Sequence, residues 1–229
     1  MLVVGFDTAT PAVSVALHDG DRVVAQAQAL DARRHSELLM PMIAGVLADA
    51  GVPRGDLTAV AVGVGPGPYT GLRVGVVTAL VLGAALGVPV HGVCSLDILA
   101  ASAAAAPAGA LAGREFLVAT DARRKEVYWA RYDAAGRRVS GPSVGPASSI
   151  PDAAGLPVAG AGGPLYPEAF GEVTGPAYPE ASVLSQLVSR SLSGGFRPGD
   201  GPELRPAEPL YLRRPDAQVP GRPKRVTPA

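Results

Sequence analysis

Apolar residues open the chain in three short β-type blocks, LVVGF at 2–6, VSVALH at 13–18 and RVVAQAQAL at 22–30. The turn formers DTATP and DGD separate them, so the blocks predict an antiparallel meander. After His35 the spacing changes. The run HSELLMPMIAGVLADAG predicts a helix over about 37–50, with Ser36 as N-cap and Gly51 as stop, while Pro41 should delay or kink its first turn. TAVAVGV at 58–64 then predicts a strand, GLRVGVVTALVLGAAL at 71–86 a helix, VPVHGV at 88–93 a strand, and SLDILAASAAAA a third helix.

Hairpins first and crossovers after argue for an α/β chain of the ribonuclease-H-like, actin-like (ASKHA) architecture rather than a doubly wound sheet. It is expected to have two subdomains, the second one reduced. Residues 1–105 form the first; 106–200 form the second, beginning with the glycine-rich connector 106–115. The second unit reads FLVATDARRKEVYWARYDAAGRRV, strands around a basic turn at Arg123, Arg124 and Lys125, and keeps one convincing helix in PEASVLSQLVSRSL. Residues 201–229 carry seven prolines, six basic and three acidic side chains, a composition of a tail rather than a core. Within it PLYLRR has an apolar handle in Leu210, Tyr211 and Leu212 that can dock, and residues after Pro215 are expected to be solvated.

The 20 basic and 20 acidic residues cancel, so the whole surface offers no field for nucleic acid or anionic membrane. Any nucleic-acid contact must be local or shared with a partner. Cys94 is the single cysteine, which excludes an internal disulfide and fits a buried, inert thiol in a reducing compartment. The start MLVVGFDTATP has no basic segment before its apolar run, so no signal peptide is expected and the cytoplasm is the simplest location. Residues 74–96 hold no Asp, Glu, Lys or Arg, yet Gly83, Gly87 and Pro89 interrupt them. A buried helix and strand explain that run better than a membrane span.

The candidate chemistry centres on GVGPGPYTGLRVG at 63–75. A dinucleotide fingerprint needs G-x-G-x-x-G after a first strand, whereas Gly65, Gly67 and Gly71 are spaced one residue too long and Pro66 and Pro68 delete amide donors. A P-loop needs a lysine at the phosphates, and none lies between Ala59 and Val118. What remains is a turn, with Thr70 and Gly71 at a helix start, Arg73 nearby and Asp7 at the end of the first strand as a weak anion or nucleotide contact. Asp7 and Asp121 each end a predicted first strand, where actin-like ATPases hold Mg²⁺ and water; capping of their own turns is the plainer role. His18, His35 and His91 form no H-x-x-x-H or H-E-x-x-H pair, so no metal site assembles locally.

Two helices carry more apolar surface than one sheet face needs. Between Leu38 and Ala48 no side chain is charged, and Leu38, Leu39, Met40, Met42, Ile43, Val46 and Leu47 cover more than one face. In the second helix Gly71, Gly75, Ala79, Gly83 and Gly87 form a smooth stripe that permits close helix approach, while Val77, Leu80, Val81 and Leu86 supply bulk. The pair can be half of a four-helix interface, with Met42 and Val46 on the partner stripe, or ordinary core helices of one domain.

In order along the chain, MLVVGFDTATPAVSVAL, RRHSELLMPMI, AVGVGPGPYTGLRVG, GVPVHGVCSLDILA, TDARRKEVYWARY and AEPLYLR resemble the TsaB (YeaZ) family, from the first residue to about Arg213. GPGPYTGLRVG followed by GVCSL is the most specific part; Pro68-Tyr69 stands where the family more usually has Ser-Phe. The resemblance implies a non-catalytic scaffold subunit of the machinery that makes N6-threonylcarbamoyladenosine in tRNA. Its expected partners are TsaD, the catalytic paralogue, TsaE, a P-loop ATPase, and a second copy of itself, with tRNA bound only through the complex. No cofactor of its own is implied; metal and ATP belong to the partners. The implied partner-binding residues are Leu38, Leu39, Met42, Ile43, Val46, Leu47, Val77 and Leu80. The rival is a stand-alone actin-like kinase, ATPase or metalloprotease-like enzyme, which would need the phosphate turn or metal pair that the sequence lacks.

Overall fold

The computed structural model describes residues 1–106, 111, 113–196 and 201–213. Five strands form the first sheet: β1 (Val3–Asp7), β2 (Ala12–His18), β3 (Val23–Leu30), β4 (Ala59–Gly63) and β5 (Val90–Val93), in the order β3-β2-β1-β4-β5. β1, β2 and β3 make the antiparallel meander, and β4 and β5 join in parallel after helical crossovers, the ribonuclease-H-like order. The crossovers are α1 (His35–Asp49) and α2 (Tyr69–Leu86).

The period of two along each strand decides what each sheet face touches. Val4, Phe6, Val60 and Val62 pack with Leu39 and Ile43 of α1 and Leu72 and Val76 of α2. The alternate positions Val3, Ala59 and Ala61 pack on the opposite face with Ile98 of α3 (Ser95–Ala105) and with Leu184 and Val188 of α5 (Ala181–Leu192). With both faces covered, β1 and β4 are buried along their whole length, which is why they read as continuous apolar runs.

The second sheet has the order β8-β7-β6-β9, from β6 (Phe116–Asp121), β7 (Val127–Tyr132), β8 (Arg138–Gly145) and β9 (Val158–Ala159), with the single-turn α4 (Gly162–Leu165) behind it. α3 joins the two sheets. Its Leu96, Leu99 and Ala103 pack with Phe116, Val118, Ala130 and Tyr132, and its Asp97 accepts a 2.8 Å hydrogen bond from the Tyr132 hydroxyl.

Three expectations are corrected. α5 lies within the stretch assigned to the second subdomain, yet it packs on β1 and β2, because Ala181, Leu184 and Val188 fill the uncovered face of the first sheet. Ser36 is not a cap: α1 begins at His35 without a side-chain cap. Asp31 orders the approach instead, accepting the amides of Arg33 and Arg34 at 2.9 and 3.1 Å. The helix runs through Pro41; Pro41 and Glu37 are both exposed, so the carbonyl that proline cannot bond lies on the solvent side. Gly51, expected as the stop, does take a left-handed φ of 65°.

The tail docks as far as it is described. Arg205 exchanges backbone bonds with Gly92, the Leu210 amide donates to the Val64 carbonyl, and Leu210 packs against the cores of both sheets. Connector residues 107–110 and 112 and the tail after Arg213 lie outside the described residues.

Candidate functional site

The site region is the cleft between the C-terminal ends of β1 and β6. At its first wall Asp7 turns back on its own chain: Oδ1 accepts the Ala9 amide at 2.8 Å, and the Ser95 hydroxyl donates to Oδ2 at 2.5 Å. Ser95 Oγ in turn accepts the Gly65 amide at 3.1 Å. One carboxylate thus ties β1, the glycine loop and the start of α3 together. Asp7 is 1% exposed. Burial pushes its pKa up to about 6, against the opposing effect of the bonds from Ser95 and Ala9.

The glycines of the loop serve close approach. A Cβ at Gly63 would overlap the Asp7 carboxylate, and one at Gly67 would overlap the Ala9 carbonyl. Gly71 lies against Thr8, whose hydroxyl donates to the Gly71 carbonyl at 2.8 Å. The smooth stripe of α2 therefore faces the chain's own sheet, Gly75 against Thr8 and Gly83 against Val90, rather than a partner helix.

The four residues proposed for an anion do not converge. Asp7 is enclosed, and Arg73 folds back onto Tyr69, donating to its hydroxyl at 2.6 Å with the guanidinium 5.1 Å from the ring centroid. Only Thr70 and Gly71 line a cavity of about 220 Å³, together with Thr10, Arg33, His35 and Arg123.

At the second wall Asp121 repeats the local bond of Asp7, accepting the Arg123 amide at 2.7 Å, but it also pairs with the Arg123 guanidinium at 3.1 Å and stays 24% exposed. The turn that follows holds Arg123, Arg124 and Lys125 at φ of 60, 56 and 63°. A cavity of about 380 Å³ adjoins the smaller one, sharing Pro68 and Arg123 with it.

Among the described residues no three His, Cys, Asp or Glu side chains come together as a metal site. Cys94 is buried and its thiol is pushed up to about 12, so it carries no thiolate at neutral pH. His35 spends Nε2 on the Thr10 carbonyl at 2.8 Å.

The candidate partner residues divide sharply. Leu39, Ile43, Val46 and Leu47 are buried in the chain's own core, and Leu38 and Met42 pack partly against it. Val46, offered for the partner stripe, is therefore a core residue. Val77 and Leu80 are outward, 51% and 49% exposed, and they are joined by Val81 at 61% and Met40 at 48%. Met40 and Val81 stood in the apolar list but not among the interface candidates. Nothing in the sequence marks which side of so uniformly apolar a helix meets the sheet.

Solved structures share this fold. YeaZ from Pseudomonas aeruginosa superposes with a TM-score of 0.74 at 32% identity, covering 92% of this chain and 99% of that one. The chain belongs to the TsaB (YeaZ) family. An uncharacterized protein of Mycobacterium tuberculosis (strain ATCC 25618 / H37Rv) is 43% identical over 224 residues, 94% of this chain and 93% of the relative. The tRNA threonylcarbamoyladenosine biosynthesis protein TsaB of Escherichia coli (strain K12) is 41% identical over 134 residues, 58% of this chain and 55% of that protein. The family model of TsaD, tRNA N6-adenosine threonylcarbamoyltransferase, matches residues 26–163. Membership also bears out the two-subdomain actin-like architecture expected from the strand order.

Proposed function

We propose that this chain is an accessory subunit of tRNA N6-threonylcarbamoyladenosine synthesis, binding a TsaD-type catalytic subunit through the outer face of α1 and α2 and performing no chemistry itself. The observation that carries the reading is the apolar stripe Val77–Leu80–Val81, at i, i+3 and i+4 on α2, uncovered as Met40 is on the neighbouring helix α1. α1 adds Ala44 and Ala48, small exposed residues over which a partner helix can approach closely. The enclosed Asp7 supports the non-catalytic part, since its oxygens are spent on Ser95 and Ala9. In this reading the same face pairs two copies when the catalytic subunit is absent. A TsaE-type ATPase joins the assembly, metal and ATP sit on the partners, tRNA is modified in the complex, and the setting is the cytoplasm.

The test is Leu80→Asp, measured by sedimentation of the chain alone and with the TsaD-type protein of the same organism. A carboxylate at the centre of the stripe stays hydrated in the free subunit and is desolvated without a partner in the complex. The expected penalty of about 3–4 kcal/mol weakens association by a few hundredfold to a thousandfold, with the melting temperature unchanged. Val46→Asp, in contrast, should unfold the chain. If Leu80→Asp associates as the parent does, the stripe is not the interface.

A further inference from the structure

The larger cavity of the cleft has a lining that its role as a subdomain boundary does not require. Tyr69, Tyr128 and Tyr211 contribute aromatic surface, and Arg123, Arg124 and Arg213 contribute guanidinium groups, around about 380 Å³. That volume lies within the range of small-ligand sites, about 300–1,000 Å³. Tyr69 and Tyr211 are half-exposed and stack on each other, centroids 5.3 Å apart and planes 22° from parallel. Aromatic rings left at a surface in that attitude offer a platform for another flat ring.

Charge points the same way. A chain with equal numbers of basic and acidic residues lines this cleft with Arg123, Arg124 and Arg213, with Lys125 next in the same turn and Arg73 over the Tyr69 ring; Asp121 pairs with Arg123 and Glu126 with Arg213. Three of these cations occupy consecutive left-handed positions, which glycine would hold with less strain. Such strain persists where the surrounding structure or a function requires the side chains.

We infer that this cleft holds a nucleotide unit of single-stranded RNA, its base on the Tyr69–Tyr211 platform and its phosphate at the Arg123–Arg124 turn. Stacking is tolerant of base identity and the turn reads only the backbone, so the site positions RNA without selecting sequence. An acidic peptide would use the arginines and leave the tyrosines idle. The choice of RNA rests on the proposed role in tRNA modification; the ring-plus-phosphate chemistry rests on the cleft alone.

The test is fluorescence anisotropy of the full chain with a labelled ten-residue oligoadenylate at low salt. Binding is expected, weakening with salt. Tyr211→Ala should reduce affinity about tenfold while Tyr211→Phe retains it, the signature of stacking. Arg123→Gly should weaken binding and lower the log–log salt slope by about 0.7, the loss of one phosphate contact to a single strand, without lowering the melting temperature. No binding, or full binding by Tyr211→Ala, overturns the inference. Competition by AMP at the same molar concentration as the oligomer would also overturn it, assigning the cleft to a free mononucleotide. Leu80→Asp, which tests the partner interface, should bind the oligomer as the parent does, so failure of either proposal is recognisable by itself.

Discussion

Asp7 and Asp121 end the first strand of the first and second sheets, and each accepts the backbone amide two residues on, at 2.8 and 2.7 Å. Their surroundings make them different devices. Asp7 lies beneath the glycine loop, is bonded by Ser95 and takes no part in the cleft surface. Asp121 remains at the surface, paired with Arg123, and anchors a turn that points cations at the cleft. The same local motif thus becomes an internal clasp at one strand end and a support for a charged surface at the other. Burial, rather than the hydrogen bond itself, makes the distinction.

Alanine at the two positions gives the largest contrast. At pH 5, where the folded chain keeps Asp7 mostly protonated, Asp7→Ala leaves the Ser95 hydroxyl and the Ala9 amide without their acceptor in a dry interior. Each such group costs about 1–3 kcal/mol, so a loss of about 2–4 kcal/mol is expected in urea unfolding. Asp121→Ala removes an exposed pair and should cost less than about 1 kcal/mol. Equal losses would mean that the clasp carries no more than the surface turn.

The next contrast is in pH. The folded pKa of Asp7, about 6, lies above its unfolded value of 3.8, so between these the folded state holds the proton more tightly. The stability linked to this group is fully present below pH 4 and is lost as pH rises through 6. The shift corresponds to about 2–3 kcal/mol. Asp7→Asn should flatten that part of the stability profile. A parent profile flat from pH 4 to 7 would show that water reaches the carboxylate.

The two regions were unequally legible in the sequence. The strand–turn–strand rhythm around Asp7, the crossover helices and the docking handle Leu210–Tyr211–Leu212 all follow from local pattern and turn chemistry, and the structure has them in place. Three things were not local. α5 crosses back to the first sheet, a choice made by the vacant apolar face of strands more than 160 residues earlier, as the Ser14 hydroxyl bond to Pro179 illustrates at a separation of 165. The facing of α1 was hidden because its apolar residues surround the axis, leaving Val46 and Met40 indistinguishable by period. The left-handed turn at Arg123–Lys125 has no Gly or Asn to announce it.

That turn supplies the smallest and most discriminating contrast. Lys125 is exposed with φ 63°, whereas no residue from Thr8 to Ala12 has a positive φ. Glycine relieves a left-handed residue of a steric cost of about 1–2 kcal/mol but adds freedom to the unfolded chain worth about 0.4–1 kcal/mol. Lys125→Gly should therefore stabilise by about 0.5–1 kcal/mol, a rise of roughly 1–3 °C in melting temperature for a chain of this size. Ala9→Gly gains no relief, adds the same unfolded freedom and deletes a methyl buried against Gly67, so it should lower stability by about 1 kcal/mol or more. A change to glycine should thus act with opposite signs beyond the two strand ends. A fall in melting temperature for Lys125→Gly would mean that the basic turn is held by its side chains rather than against them, and the strain that singles out this cleft would have to be given up.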